Sequence, residues 1–283
     1  MTRLWPAAAA LVLFLRLAIP VPATAAAVPG TTCPMFPTDN VWNADISTLP
    51  VNAALTQSVQ QLFNSSGSAK LHPDFGPPSY GMPFNAVSSR HQMAWKPPQS
   101  PSITFQYARE SDNGPYPSGS DIQIEGQYGD GGDDHALSVV VDTCTLSEVW
   151  HAQLQSQPYT GGSGAVWNLR SDALRPDGWT SADAAGLPIL PGLVRYDEVQ
   201  AGSIRHALRF TLSQTAMAHI WPARHDAGTS GAGLPPMGTR LRLKASFDTT
   251  GYHRRRAGRA ASDAALRDVP RRQRQRLVLP GHS

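Results

Sequence analysis

The sequence predicts a mainly β, single-domain fold of the β-sandwich or jelly-roll kind, with a few short helices. Three observations predict it. The 283-residue chain carries 25 prolines and 24 glycines, enough turn residues to punctuate many short elements. Between them, runs of β-branched and aromatic residues recur at the intervals typical of antiparallel β domains. Apolar residues at helical spacing appear in only a few short segments, and no internal repeat is present.

In chain order, the first expected element is a secretory signal over residues 1–25. It has a basic start at Arg3, an apolar stretch broken by Arg16, and small residues Ala23-Thr24-Ala25 before the cleavage point. The unbroken apolar part is too short to span a bilayer, so no membrane span is expected. The domain then covers residues 26–250. Apolar spacing predicts a helix over 52–63. Strands are expected at 102–108, 121–126, 136–142, 146–152, 164–169, 192–196, 203–212, 218–223 and 239–247. The run ALSVVVDTCTLSEVWHA (136–152) reads as a hairpin turning at Thr143 to Thr145. Two single helical turns are expected, one over 180–186 with Ser181 as N-cap, the other over 197–202 from Asp197 to Gly202.

Cys33 and Cys144 are the two cysteines. An even count in an exported chain predicts one disulfide, which fits an extracellular or periplasmic protein. The formal charge of +3 hides an acidic body, because residues 251–283 hold nine arginines against two aspartates. Nucleic acid is therefore not an expected partner, since phosphate binding needs a basic face on the folded domain. The tail has no apolar period and reads either as disordered or as the product of a frameshift. Its QRQRLVLPG stretch permits N-G-S-D-W-Y-F-Q-G one nucleotide later. A monomer is expected.

The run GWTSADAAGLPILPGLVRYDEV (178–199) followed by HALRFT (206–211), with DNVWNADISTLPV (39–51), LHPDFG (71–76) and ESDNGPYP (110–117), closely resembles a family of secreted bacterial proteins. The resemblance extends over nearly all of residues 26–250 and stops at the tail, where that family's ending resembles A-D-N-G-S-x-W-Y. It implies a secreted single domain and brings no activity with it.

Chemistry has to be read from the residues. Strand alternation on LSEVWHA puts Leu146, Glu148 and Trp150 on one face. A carboxylate beside an indole is a common way to build a sugar subsite, because the ring stacks on a pyranose while the carboxylate meets its hydroxyls. Alternation also puts Ile204, His206, Leu208, Phe210 and Leu212 in one row. His135 follows an acidic GDGGDD turn whose aspartates could hold Ca²⁺; the spacing is not that of an EF-hand, and neither a metal nor another cofactor is predicted. Pro188 and Pro191 stiffen a crossing that delivers Tyr196 and Glu198 beside His206.

The expectation is a protein acting on extracellular or cell-wall polysaccharide. A hydrolase would use Glu148 with Glu125 or Glu198 as acid and base or nucleophile. A lyase would use His206 or His135 as base, with Arg170 or Arg209 neutralising a uronate. Trp150, Trp167, Arg170, Trp179, Tyr196, Arg209, Trp221 and His225 are the expected glycan contacts. The competing reading is a non-catalytic carbohydrate-binding or envelope protein, favoured if Glu125, Glu148 and His206 point to separate places. No G-x-S-x-G elbow, H-E-x-x-H, phosphate-binding loop or C-x-x-C pair occurs.

Overall fold

The computed structural model describes residues 26–65, 81–126, 132–229, 231 and 233–247, together with the backbone of 277–278. The signal segment, the LHPDFG run and the rest of the tail lie outside the described residues. The expected mainly β fold holds at this level: strands in several small open sheets, with two α-helices among the described residues. In order they are α1 (Ala53–Ser65), β1 (Phe84–Val87), β2 (Met93–Ala94), β3 (Ile103–Phe105), β4 (Tyr116–Pro117), β5 (Ala136–Val140), β6 (Thr145–Trp150), β7 (Tyr159–Gly161), β8 (Ser163–Asn168), α2 (Tyr196–Ala201), β9 (Leu208–Arg209), β10 (Arg240–Leu241) and β11 (Leu277–Val278).

The largest sheet runs β1-β5-β6-β8. The predicted hairpin forms its centre, with Ala136 opposite Val149 and Val140 opposite Thr145, so Thr145 belongs to a strand and the turn ends at Cys144. Both faces of this sheet are covered. Leu137, Val139, Leu146 and Trp167 pack with Met35, Trp42, Leu187 and Ile189 on one side, while Ala136 and Val149 pack with Ile103, Phe105, Tyr116 and Tyr159 on the other. That double burial explains why β5 is apolar at nearly every position. Each fully buried leucine or isoleucine here contributes roughly 1.5–3 kcal/mol.

The predicted disulfide is present. Cys33 and Cys144 are joined across 111 residues with Cα atoms 5.3 Å apart, which pins the N-terminal segment to the hairpin turn. Closing a loop of that length stabilises the fold by roughly 4–5 kcal/mol in the chain-entropy model. No helix among the described residues is long and apolar enough to cross a membrane.

Several expected elements are replaced by irregular chain, and the reasons are local. Residues 121–126 form no strand; the Asn85 side chain takes the ladder's place, accepting from Gln123 N–H at 2.8 Å and donating to its carbonyl at 2.9 Å. Residues 180–186 form no helix, because Ser181 and Asp183 side chains bond the nearby backbone instead. Over 197–202 the helix starts one residue early, with Arg195 rather than Asp197 at its N-cap and Gly202 ending it in the left-handed region (φ 66°). Residues 203–212 and 239–247 pair only through β9 and β10, and β11 of the tail lies between them. Residues 218–223 contribute a single bridge, His219 to Met237.

Candidate functional site

Segment 180–190 is laid across the sheet by buried polar groups. Ser163 donates to the Ser181 carbonyl at 2.6 Å, His135 Nε2 bonds the Ala182 carbonyl at 3.0 Å, and Arg209 Nε donates to Asp183 at 2.9 Å. Asp183 also accepts from Ala185 N–H at 2.8 Å. Further on, the Ile189 and Leu190 N–H groups both point at Glu148, at 2.8 and 2.9 Å. The stiff proline-bounded stretch thus wraps its own backbone donors around a carboxylate that is fully buried. Burial pushes the Glu148 pKa up to about 7 against the opposing pull of those two N–H groups.

The front edge of the same segment lines a cleft. Thr180, Ser181, Ala182 and Ala184 form one wall, Tyr107, Trp150 and Ser163 another, and His225 with Ala227 closes it. Tyr107 is exposed and its ring centroid lies 6.2 Å from that of Trp150, tilted by 42°. The Trp150 indole can lie here only because residue 162 is glycine: a Cβ there would meet the ring at 2.1 Å. Trp150 Nε1 donates to Asp133 at 3.3 Å, and the exposed His151 ring sits 5.8 Å from the indole. His225 is oriented by Nδ1–H donating to the Ala184 carbonyl at 2.7 Å, which turns Nε2 toward Glu110, 3.9 Å away. Glu110 closes a short 3-10 turn (Ala108–Glu110) after β3 and accepts from the Thr180 N–H at 3.2 Å.

Of the residues expected from sequence to meet a glycan, Trp150 and His225 meet at this cleft. Trp167 and Trp179 do not face it; their rings lie 5.7 and 5.5 Å from the Arg175 guanidinium, whose donors bond Asp112, the Glu110 carbonyl and the Thr180 carbonyl. Arg209 is spent on Asp183, Arg170 donates to the Thr143 carbonyl on the hairpin turn, and Tyr196 bonds Gln200. Trp221 stands exposed outside the cleft lining.

The ionisable residues expected to act together fall into three places. Glu125 pairs with His135 at 2.5 Å, Glu198 pairs with His206 at 3.0 Å and with Arg195 at 2.5 Å, and Glu148 lies under residues 189–190. Among the described residues no group of histidine, cysteine and carboxylate side chains is arranged to hold a metal. Tyr107 and Glu110 escaped the sequence reading. The available signal was an aromatic and an acid three apart at the end of an expected strand, where binding groups collect. No family model, curated protein or solved structure matches the chain.

Proposed function

We propose that the protein is a secreted, monomeric carbohydrate-binding protein of sandwich-like fold, and that the Tyr107–Trp150 cleft is its glycan site. One observation carries this reading: the exposed Tyr107 ring and the part-buried Trp150 ring border a cleft lined besides by serine, threonine, alanine and His225, with the Glu110 carboxylate nearby. Sugar rings need that combination, an apolar face for stacking and fixed polar groups for hydroxyls. The disulfide fits an exported chain. Binding is favoured over hydrolysis or elimination because Glu125, Glu148 and His206 are each engaged by a different protein partner: His135, the Ile189 and Leu190 N–H groups, and Glu198. A catalytic version would have to use Glu110 and His225.

The test is titration of the purified chain against a panel of extracellular and cell-wall polysaccharides, following tryptophan fluorescence together with reducing ends and the absorbance of unsaturated uronates. Saturable binding that Trp150→Ala abolishes, without product release, supports the reading. Product release that Glu110→Gln or His225→Ala abolishes would replace it with an enzyme. Absence of binding by a folded, disulfide-bonded sample would overturn it.

A further inference from the structure

Strand alternation on β6 would send His151 to the side of Ser147 and Val149, away from Trp150. The chain does otherwise. β6 ends at Trp150, and His151 takes a left-handed backbone (φ 51°) that breaks the alternation. Its ring lies beside the indole instead, with centroids 5.8 Å apart, and its side chain is 57 % exposed. Asp134, left-handed as well at φ 51°, is buried and brings a carboxylate oxygen to 3.7 Å from His151 Nδ1. Two residues held side by side in a conformation that disfavours L side chains mark a place where the surrounding structure imposes the geometry. With Nδ1 directed at that carboxylate, Nε2 is the ring nitrogen available to a ligand.

The backbone gives these rings a direction. Tyr107 N–H donates to the Gly162 carbonyl at 2.8 Å, Gly162 N–H to the Trp150 carbonyl at 2.8 Å, and His151 N–H to the Asp133 carbonyl at 2.9 Å. Tyr107, Gly162, the Trp150-His151 pair and Asp133 are therefore successive positions across the strands, three steps of inter-strand spacing or about 14 Å in all. Gly162 carries no side chain, which leaves the part-buried Trp150 ring room to lie toward Tyr107, 6.2 Å away. On the far side Trp150 Nε1 donates to the exposed Asp133 at 3.3 Å. His151 and Asp133 stand outside the lining of the cleft, and a single pyranose ring is too short to meet both ends of the row. A second ring joined to the first reaches an imidazole and a carboxylate already in place, without a second loss of translational freedom. Resting on the glycan-binding reading above, we infer that the protein takes a glycan chain of at least two consecutive sugar rings, laid across the strands from Tyr107 over Trp150, with the His151 imidazole bonding hydroxyls of the second ring.

Calorimetric titration of the full chain tests this with two graded series, β-1,4-linked glucose and β-1,4-linked N-acetylglucosamine, each of one to four rings. The expected result is an affinity that rises at least tenfold between one ring and three in a series that binds. His151→Gly keeps the left-handed turn without strain and removes only the ring; it should bring the longer oligomers down to the affinity of the single sugar, with a melting temperature no lower than the native chain's. His151→Asn, which tolerates the same backbone and restores a hydrogen-bonding group, should recover part of the loss. An affinity indifferent to ring number, or a His151→Gly protein that binds the longer oligomers as the native chain does, overturns the inference. If both series stay silent, the variants are read on the polysaccharide selected by the fluorescence panel: native affinity in His151→Gly, with binding still dependent on Trp150, sinks this inference and leaves the glycan site standing, whereas a tenfold loss supports it. If no glycan binds, both fail.

Discussion

Two histidine–glutamate pairs in this protein are built from the same residue types and have opposite surroundings. In the first, Glu198 joins His206 at 3.0 Å and Arg195 at 2.5 Å, and all three side chains are at least nine-tenths buried. In the second, Glu110 and His225 stand 3.9 Å apart, each about 30 % exposed (32 and 27 %), at the edge of a cleft. The closed pair has its carboxylate oxygens taken by protein. The open pair keeps an imidazole nitrogen and a carboxylate within reach of a ligand. Ionisable groups of the same kind can thus hold a fold together or wait for a partner, and what separates the roles is whether the protein has already filled their hydrogen-bonding capacity.

The largest expected effect breaks the closed pair. Glu198→Ala leaves Arg195 and His206 buried without their anion, at a cost of about 3–5 kcal/mol, read as a shift of the denaturation midpoint in guanidinium. Glu110→Ala should cost under about 1 kcal/mol, as expected of a solvent-screened pair. Equal losses from the two substitutions would erase the distinction. Glu148 extends the closed case to a carboxylate with no cationic partner in bonding distance. Because its folded pKa of about 7 lies above the ordinary 4.5, the folded state favours the neutral form, so stability falls as pH rises from about 4.5 to about 7. A shift of that size corresponds to about 3 kcal/mol. Unfolding of the native chain and of Glu148→Gln, compared at pH 5 and pH 8, should show that the substitution flattens the decline.

The comparison also marks what was legible in the sequence. Period-2 alternation puts Leu146 and Trp150 on one face and Val149 on the other, and the two faces pack into different cores; the hairpin and disulfide followed from turn residues and cysteine count. What alternation leaves open is whether a polar residue on a strand faces solvent or another segment. Glu148 and Trp150 share a face, yet residues 189–190 cover the first while Gly162 leaves room for the second at the cleft. The partners of Glu148 are backbone N–H groups, which no side-chain pattern announces. Segments 121–126 and 180–186 were misread for a related reason: Asn85, Ser181 and Asp183 side chains stand in for backbone partners. Tyr107 and Glu110 reach His225 and Trp150 only because β3 pairs with β7, more than 50 residues away in sequence.

A smaller effect is expected on the open side. Gly162→Ala places a methyl where the Trp150 ring now lies, and the indole is partly exposed, so it can swing outward. Overpacking of this kind costs roughly 1–3 kcal/mol, but its signature should be functional: a shifted tryptophan emission and at least tenfold weaker glycan binding. Unchanged emission and binding would mean that the seat of Trp150 does not shape the cleft.

The smallest effect tests the ground between closed and open. His219 bonds Asp226 at 2.9 Å through Nδ1 and Asp177 at 3.2 Å through Nε2, and Arg224 adds a contact to Asp177 at 3.3 Å. Both ring nitrogens are engaged, as in the closed pair, yet Asp177 is largely exposed. The hydrogen bond to Asp226, aided by the bond to Asp177 and by both carboxylate charges, raises the His219 pKa above 6.5 against the opposing effect of burial. A raised histidine pKa contributes stability that is present below 6.5 and lost as pH climbs through the folded value. The difference in stability between the native chain and His219→Gln should therefore be small at pH 6, vanish toward pH 8, and shrink with added salt, because the cluster is solvent-screened. The same cluster ties the loop that carries Trp179 to the segment that carries His225, so loss of the difference at high pH should leave glycan binding weaker as well. A difference that persists at pH 8 and in high salt would place His219 with the closed pair, making the cluster a structural clamp whose hydrogen bonds, not its charges, hold the two segments together.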